Sequence, residues 1–161
     1  MLQVITLIIV AILVAIDQII KLLVIEHLKP IGSLTLIDGF IQLNYAENTG
    51  AAFGSFSGKT SLLSVFTFLI IIVGLVYLFA KKRKVDVEYA CITLIISGGL
   101  GNLIDRVFRG YVVDYIEPLF IDFAIFNFAD ILVTCSCIAL VIWLLFDIYR
   151  EGKREKGKKD E

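Results

Sequence analysis

The chain has 161 residues, of which 58% are hydrophobic, and its formal net charge is −1. Soluble domains are usually about 45–50% apolar, and the excess here lies in long uncharged runs of the kind that cross membranes. A nearly neutral chain without a basic face gives no reason to expect a nucleic-acid partner. The composition therefore predicts an integral membrane protein and excludes the nucleic-acid-binding classes.

Four apolar segments are long enough to cross a bilayer, which requires about 20 mostly apolar residues. They cover about 2–24, 61–80, 88–105 and 126–147. Each is predicted to be a helix, because backbone groups in lipid must be hydrogen-bonded within their own segment. The first segment lacks a basic start and a small-residue cleavage site, so we interpret it as a retained span. We interpret 1–161 as one integral-membrane domain with a charged tail, 148–161.

Basic residues predict the orientation of these spans. The loop KKRK at 81–84 has four of the fifteen Lys and Arg, and the C-terminal tail has six more. Positively charged loops remain in the cytoplasm. With an even number of spans, both termini are predicted to be cytoplasmic, and the loops before the second and fourth spans extracytoplasmic.

The two outer loops show signals of short strands. Residues 33–46 contain Gly39, a turn candidate, and the alternating stretch IQLNY, which together predict a hairpin. YVVDYI at 111–116 is typical of another extended piece or a short bend. We expect these strands to form a small sheet over the outer ends of the helices.

Four aspartates lie where this topology places the outer membrane surface, namely Asp17, Asp105, Asp114 and Asp130. Asp17 and Asp130 lie within apolar segments, and ionisable groups in such places usually face a bundle interior or a cavity. We therefore expect the four to converge. Lys21 lies four residues after Asp17 on the same helix face, which is typical of an ion pair at the membrane interface.

Several catalytic chemistries lack the residues they need. The chain has one histidine, His27, and neither H-E-x-x-H nor G-x-S-x-G, so zinc hydrolysis and a Ser-His mechanism are not favoured. No metal or other cofactor is expected. The glycine-rich GGLG at 98–101 lies inside the third span, where it indicates close helix packing rather than phosphate binding.

Carboxylate chemistry remains. Two aspartates held close together share a proton, so that one can act as a base toward water and the other as an acid toward a carbonyl. Asp114 and Asp130 are the best pair, because Asp130 lies at a helix end and Asp114 lies on a loop that can approach it. Asn127 precedes Asp130 by one helical turn. From the residues alone, a catalytic dyad, a proton or ion relay, and structural capping all remain open.

Five motifs in order resemble lipoprotein signal peptidase (signal peptidase II), a family of bacterial membrane aspartic proteases. They are DQIIK at 17–21, NTGAAF at 48–53, GNLIDR at 101–106, GYVVDY at 110–115 and FNFAD at 126–130. The resemblance implies an all-α membrane protein of the bacterial cell membrane, with four transmembrane helices and a small extracytoplasmic β-sheet cradle. It implies an aspartic endopeptidase that removes signal peptides from prolipoproteins, cutting before a cysteine that carries diacylglycerol. The partners implied are such prolipoproteins and membrane lipid, with no obligate protein partner.

The same resemblance assigns the site residues. Asp114 and Asp130 fall on the catalytic aspartates. The other matched positions are expected to position substrate or support the site; they are Asp17, Lys21, Asn48, Gly50, Asn102, Asp105, Arg106, Asn127 and Ala129. The chain departs from the family at Ile131, where Ser is common, so we expect a missing hydrogen bond near Asp130.

Two other classes of function would use these acids differently. A proton-coupled transporter or channel subunit would use them as a relay and distribute them through the membrane depth. A structural scaffold would tolerate their replacement. The predicted clustering at one surface favours the peptidase.

Overall fold

The structure is a computed structural model that describes residues 1–50, 58–80 and 85–159, with the backbone alone from 154 onward. Helix α1 (Leu2–Leu23) continues as a π-helical turn (Val24–Leu28) and is followed by the hairpin strands β1 (Ser33–Ile37) and β2 (Ile41–Asn48). The remaining elements are α2 (Thr60–Phe79), α3 (Val87–Phe108), β3 (Val112–Pro118) and α4 (Phe128–Lys159).

All four helices are long and apolar enough to cross a membrane. The predicted architecture of four helices and a small sheet is thus confirmed. Helix α4 begins at Phe128 rather than near 126, because Phe126 still pairs with Ile116 in an antiparallel bridge. The same helix continues through the charged tail to Lys159, since Lys, Arg and Glu are good helix formers.

Helix α3 is central and packs against the other three helices. Its glycines permit this: a Cβ on Gly98 would lie 2.4 Å from the carbonyl oxygen of Ala129, and one on Gly101 would lie 2.5 Å from Oδ2 of Asp17. Gly98 therefore lets α4 approach α3, and Gly101 leaves room for a carboxylate from α1. The packing role predicted for GGLG is confirmed.

The three strands form one antiparallel sheet in the order β1-β2-β3. Leu43 of β2 pairs with Leu34 of β1 on one side and with Ile116 of β3 on the other. The hairpin expected at 33–46 is present, and the segment at 111–116 is extended rather than bent. The first helix leads into β1 and the third leads into β3, so the sheet lies over one end of the bundle, here called the sheet end.

An apolar cluster of Val24, Leu28, Val113 and Tyr115 joins the sheet to the end of α1. A hydrogen bond from the backbone N–H of Val113 to Oδ2 of Asp105, at 3.1 Å, fixes β3 against α3. The basic loop at 81–84 and residues 51–53 of NTGAAF lie outside the described residues. The orientation of the bundle in the membrane therefore stays a prediction.

Candidate active site

The two aspartates singled out from the sequence face one cavity at the sheet end. Asp114 lies in β3 and is 2% exposed, whereas Asp130 is the third residue of α4 and is half-buried. The cavity has a volume of about 160 Å³ and is lined by Asn48, Asn102, Arg106, Val112, Asp114, Phe123, Ala124, Ile125, Phe126, Asp130 and Thr134. Strand β3 and helix α4, which follow one another along the chain, thus bring both carboxylates to one space.

Three asparagine side chains hold these carboxylates. Asn48 donates from Nδ2 to Oδ2 of Asp114 at 2.9 Å, and Asn127 donates from Nδ2 to Oδ1 of Asp114 at 2.6 Å. Asn102 donates from Nδ2 to Oδ1 of Asp130 at 2.8 Å. The donors to both carboxylates in these bonds are thus neutral amide groups rather than cationic side chains.

Asn127 and Asp130 also cap helix α4 reciprocally. Oδ1 of Asn127 accepts from the backbone N–H of Asp130 at 2.9 Å, and Oδ2 of Asp130 accepts from the backbone N–H of Asn127 at 3.1 Å. This is the geometry of a capping box. Asp130 therefore has the capping role that the sequence left open. Capping uses its Oδ2 atom, so its Oδ1 atom accepts the hydrogen bond from Asn102.

A second group of charges lies beside the cavity, completely inside the protein. Lys21 is 0% exposed, and its ammonium nitrogen lies 2.9 Å from Oδ2 of Asp17 and 3.0 Å from Oδ2 of Asp105. Its third hydrogen bond goes to Oδ1 of Asn102 at 2.9 Å. The pairing of Lys21 with Asp17 is confirmed, and the pair lies inside the protein rather than on its surface. A buried ammonium requires nearby carboxylates to offset its desolvation, and α3 supplies the second one.

Gln18 and Arg109, which are both partly buried, complete this group, and neither was predicted from the sequence. Gln18 donates from Nε2 to Oδ2 of Asp17 and to the carbonyl oxygen of Gly101, each at 3.1 Å. Arg109 forms an ion pair with Asp105 and donates to Oε1 of Gln18 at 3.1 Å. Arg109 follows Asp105 by four residues, the same spacing that indicated the Asp17–Lys21 pair, so a sequence signal existed.

Three further residues named from the sequence surround the site. Gly50 donates its backbone N–H to Oδ1 of Asn48 at 2.9 Å, which fixes the orientation of that amide. Arg106 lines the cavity, and one of its terminal nitrogens lies 3.4 Å from the carbonyl oxygen of Gly50. Ala129 is fully buried and donates its backbone N–H to Oδ1 of Asp17 at 3.2 Å. The contacts of Gly50 join the end of β2 to α3 at the cavity, and the contact of Ala129 joins α4 to α1.

The four aspartates do lie at the sheet end, but in two groups. Asp17 and Asp105 are paired with cations between α1 and α3, whereas Asp114 and Asp130 are held by amides at the cavity. Asn102 touches both groups. The second pair is therefore the one that faces a cavity.

Burial raises the pKa of Asp114 to about 7, and the negative charge of Asp130 adds to the effect. Near neutral pH, Asp114 can consequently hold a proton or release it. A pKa close to the working pH suits a group that exchanges protons with a substrate.

Ile131 borders a different space. It lines an apolar pocket of about 230 Å³, together with Phe123, Phe126, Asp130, Thr134 and Cys135. Both oxygens of Asp130 accept hydrogen bonds from asparagines even though Ile131 has no polar side chain. The residue that departs from the family pattern thus adds apolar surface beside the carboxylate.

Comparisons with known proteins agree with this geometry. The sequence profile of the family described as Signal peptidase (SPase) II matches residues 9–146. The chain belongs to the signal peptidase II family. It is therefore a multi-pass membrane peptidase of the bacterial cell membrane.

Several relatives of this signal peptidase II chain match over nearly their whole length. The lipoprotein signal peptidase of Clostridium acetobutylicum is 38% identical over 149 residues, covering 90% of this chain and 97% of the relative. That of Clostridium novyi is 42% identical over 144 residues, covering 87% and 94%.

Two solved structures, both described as bacterial membrane enzymes studied by the in meso method, have the same fold. One has a TM-score of 0.79 at 36% identity and covers 89% of this chain and 88% of its own. The other has a TM-score of 0.75 at 37% identity, covering 87% and 92%.

Proposed function

We propose that this peptidase is an aspartic endopeptidase that removes the signal peptide from diacylglyceryl-modified prolipoproteins, cutting just before the lipidated cysteine. The observation that most supports this proposal is the pair Asp114 and Asp130, carried by different elements and facing one cavity. The substrate class comes from the relatives, which are named lipoprotein signal peptidases.

Two carboxylates in one cavity are sufficient for peptide hydrolysis. One takes a proton from a water molecule while the other donates a proton to the carbonyl oxygen of the scissile bond. Because like charges at close range disfavour a second ionisation, the pair holds one proton between them. No residue is then needed as a covalent nucleophile.

The walls of the cavity suit an extended peptide with a lipid beside it. Asn48 and Arg106 supply polar groups on one side of Asp114. The apolar pocket shares Phe123, Phe126 and Thr134 with the cavity, so apolar surface reaches the carboxylates directly. We assign the polar side to the peptide backbone and the apolar side to the groups next to the cleaved bond.

The proposed topology places this cavity at the outer membrane surface, because both termini and the basic loop at 81–84 are assigned to the cytoplasm. A translocated prolipoprotein has its signal helix in the bilayer and its modified cysteine at that same depth. The lipid-facing surfaces of the helices, rich in large apolar side chains, offer the signal helix a compatible surface.

The test is cleavage of a precursor with and without diacylglycerol on its cysteine, using the purified full chain in lipid vesicles. We expect the lipidated precursor to be cleaved far faster, because burial of an acyl chain stabilises the complex by about 0.8 kcal/mol per CH₂. Mass spectrometry of the product should place the cut before the modified cysteine. Equal rates for both precursors would refute the lipoprotein assignment even if the chain hydrolysed peptides.

A further inference from the structure

The two aspartates of the site have different surroundings, and the difference begins at Lys21. An ammonium group has three N–H donors and no acceptor. All three donors are used, on Oδ2 of Asp17, on Oδ2 of Asp105 and on Oδ1 of Asn102. The oxygen of the Asn102 amide is therefore fixed toward Lys21.

Because the amide oxygen of Asn102 is fixed, the NH₂ group of the same amide is fixed as well. If Asn102 turned over, its NH₂ group would face the ammonium of Lys21 and the Nδ2 group of Asn127, which also donates to Oδ1 of Asn102 at 3.1 Å. N–H donors would then face one another with no acceptor between them. Nδ2 of Asn102 is consequently a permanent donor to Oδ1 of Asp130, and the nearby charge of Lys21 polarises it.

Asp130 also receives support from its helix. Its Oδ2 accepts the backbone N–H of Asn127 at the N-terminus of α4, where the helix dipole favours a negative charge. The titratable and charged groups around it come from three elements. Those on α1 are Asp17 and Lys21, those on α3 are Asp105 and Arg106, and those on β3 are Asp114 and Tyr115.

Asp114 has less of this support, because the charge of Lys21 reaches it only through space and the amide that is bonded to Lys21 donates to Asp130 instead. It lies in a strand rather than at a helix N-terminus, and the two donors that hold it, Asn48 and Asn127, are neutral amides. Neither amide is bonded to a cation in the part of the chain that the structure describes. The Oδ1 atom of Asn48 accepts from a backbone N–H, and that of Asn127 does the same.

We propose that Asn102, held in one orientation by Lys21, is a positioning residue that keeps Asp130 ionised, so that Asp130 is the base and Asp114 is the acid. The inference rests on the proposed function, whose roles it divides between two residues. The pKa of about 7 for Asp114 agrees with a group that is protonated when the reaction starts.

The proton balance of the reaction follows. Asp130 takes a proton from water as the water oxygen bonds to the carbonyl carbon, and Asp114 gives its proton to the carbonyl oxygen. The C–N bond then breaks as Asp130 passes its proton to the leaving nitrogen, while Asp114 recovers a proton from the hydroxyl group. Both residues return to their starting states without a further reactant.

The two asparagines allow the roles to be tested separately in pH–rate profiles of kcat/KM, measured on the full chain in vesicles. Asn102→Leu removes the donor to Asp130, so the acid limb should move to higher pH by about one unit, with the alkaline limb unmoved. Asn48→Leu removes a donor to Asp114, so the alkaline limb should move to higher pH, with the acid limb unmoved. A purely structural role would lower the whole profile without moving either limb.

A second variant tests Lys21 and replaces Asn102→Leu if that protein does not fold. Lys21→Met combined with Asp17→Asn removes one cation and one anion, and it should also move the acid limb upward. Its matched control, Asp105→Asn with Arg109→Gln, removes another such pair but keeps the Lys21–Asn102 bond, so its acid limb should stay in place.

Two results would overturn the inference while leaving the proposed function intact. If Asn102→Leu moved the alkaline limb and Asn48→Leu moved the acid limb, Asp130 would be the acid. If neither limb of the pH–rate profile moved in the Asn102 and Lys21 variants, these hydrogen bonds would have only a structural role. Failure of the wild-type chain to cleave the lipidated precursor would instead count against the proposed function itself.

Discussion

Asp114 combines near-complete burial with a carboxyl group, and this has a consequence for stability. A pKa of about 7 in the folded state, against 3.8 as the ordinary value, means that the folded protein binds more protons than the unfolded chain between these values. Stability should therefore fall as pH rises from about 4 to about 7 and stay lower above that range. The favourable contribution is present only while Asp114 is protonated.

Replacement of Asp114 by Asn should remove this dependence. Above pH 7 the variant should be more stable than the wild type by about 1–3 kcal/mol, less than the full shift implies because one amide loses its acceptor. At pH 4 the advantage should vanish. The measurement is the apparent Tm in detergent from pH 4 to 8, with Asp38→Asn in the exposed hairpin turn as control. A Tm difference that does not change with pH would contradict the assigned protonation.

Individual residues also show where the sequence was insufficient. Asp114 and Asp130 were identifiable because carboxylates at the edges of apolar runs are costly, and Asn102 and Asn127 because they belong to matched motifs. Gln18 and the burial of Lys21 were not identifiable in the same way. Asp17 and Lys21 mark one face of the first helix, but the sequence does not say which helix that face meets. The pairing of Lys21 with Asp105 appears only when the helices are packed.

At the scale of elements, the contact between α3 and α4 positions Asp130. Helix α4 begins two residues before Asp130, and its first turn lies against Gly98 and Gly101 of α3. Tyr115 of β3 accepts the backbone N–H of Phe128 at 3.2 Å, so the sheet also holds the start of this helix. The position of one carboxylate therefore depends on how closely two helices and a strand approach one another.

This dependence predicts different effects for two adjacent glycines. Gly98→Ala places a methyl group where the carbonyl oxygen of Ala129 lies 2.4 Å away, which should force α4 outward and destabilise the protein by about 1–3 kcal/mol. Cleavage should fall with it, since Asp130 moves. Gly99→Ala is the matched control, because its Cβ would lie 3.5 Å from the Ile71 side chain, an ordinary contact.

Thermal unfolding and cleavage rates of the two variants provide the check. The helix propensity of Ala favours both substitutions equally, by about 1 kcal/mol, so only packing distinguishes them. The Gly99 variant should match or exceed the wild type in stability. A Gly98 variant as stable and active as the Gly99 variant would show that α4 is not held by this contact.

For the whole molecule, the lengths of the apolar runs were sufficient to predict the number of helices, and alternation with a glycine turn was sufficient for the hairpin. The ends of the helices were less predictable, because apolar residues such as Phe126 occur both in helices and in the bridging segment. The convergence of four aspartates at one end followed from topology. Their division into an ionic group and a cavity-facing pair depends on side-chain packing, which no linear pattern contains.

The topology itself makes a prediction for intact cells. In a chain without its three cysteines, Asp38→Cys in the hairpin turn should react with a membrane-impermeant thiol reagent, and Lys153→Cys in the tail should react only after lysis. The physical reason is the positive charge of the 81–84 loop and the tail, which keeps them in the cytoplasm. The reverse pattern would place the cavity on the cytoplasmic side and contradict the proposed substrate geometry.

The central claim is that Asp114 and Asp130 act together on the scissile bond. Its most direct test is cleavage of the diacylglyceryl-modified precursor by Asp114→Asn, by Asp130→Asn and by the double variant, with Asp122→Asn in the exposed segment between them as control. Asn nearly preserves shape, so precursor binding should persist, while each single variant should lose about 10²–10⁴-fold or more in rate. The double variant should lose little more, because the pair acts as a unit. Cleavage at the wild-type rate by either single variant would contradict the dyad.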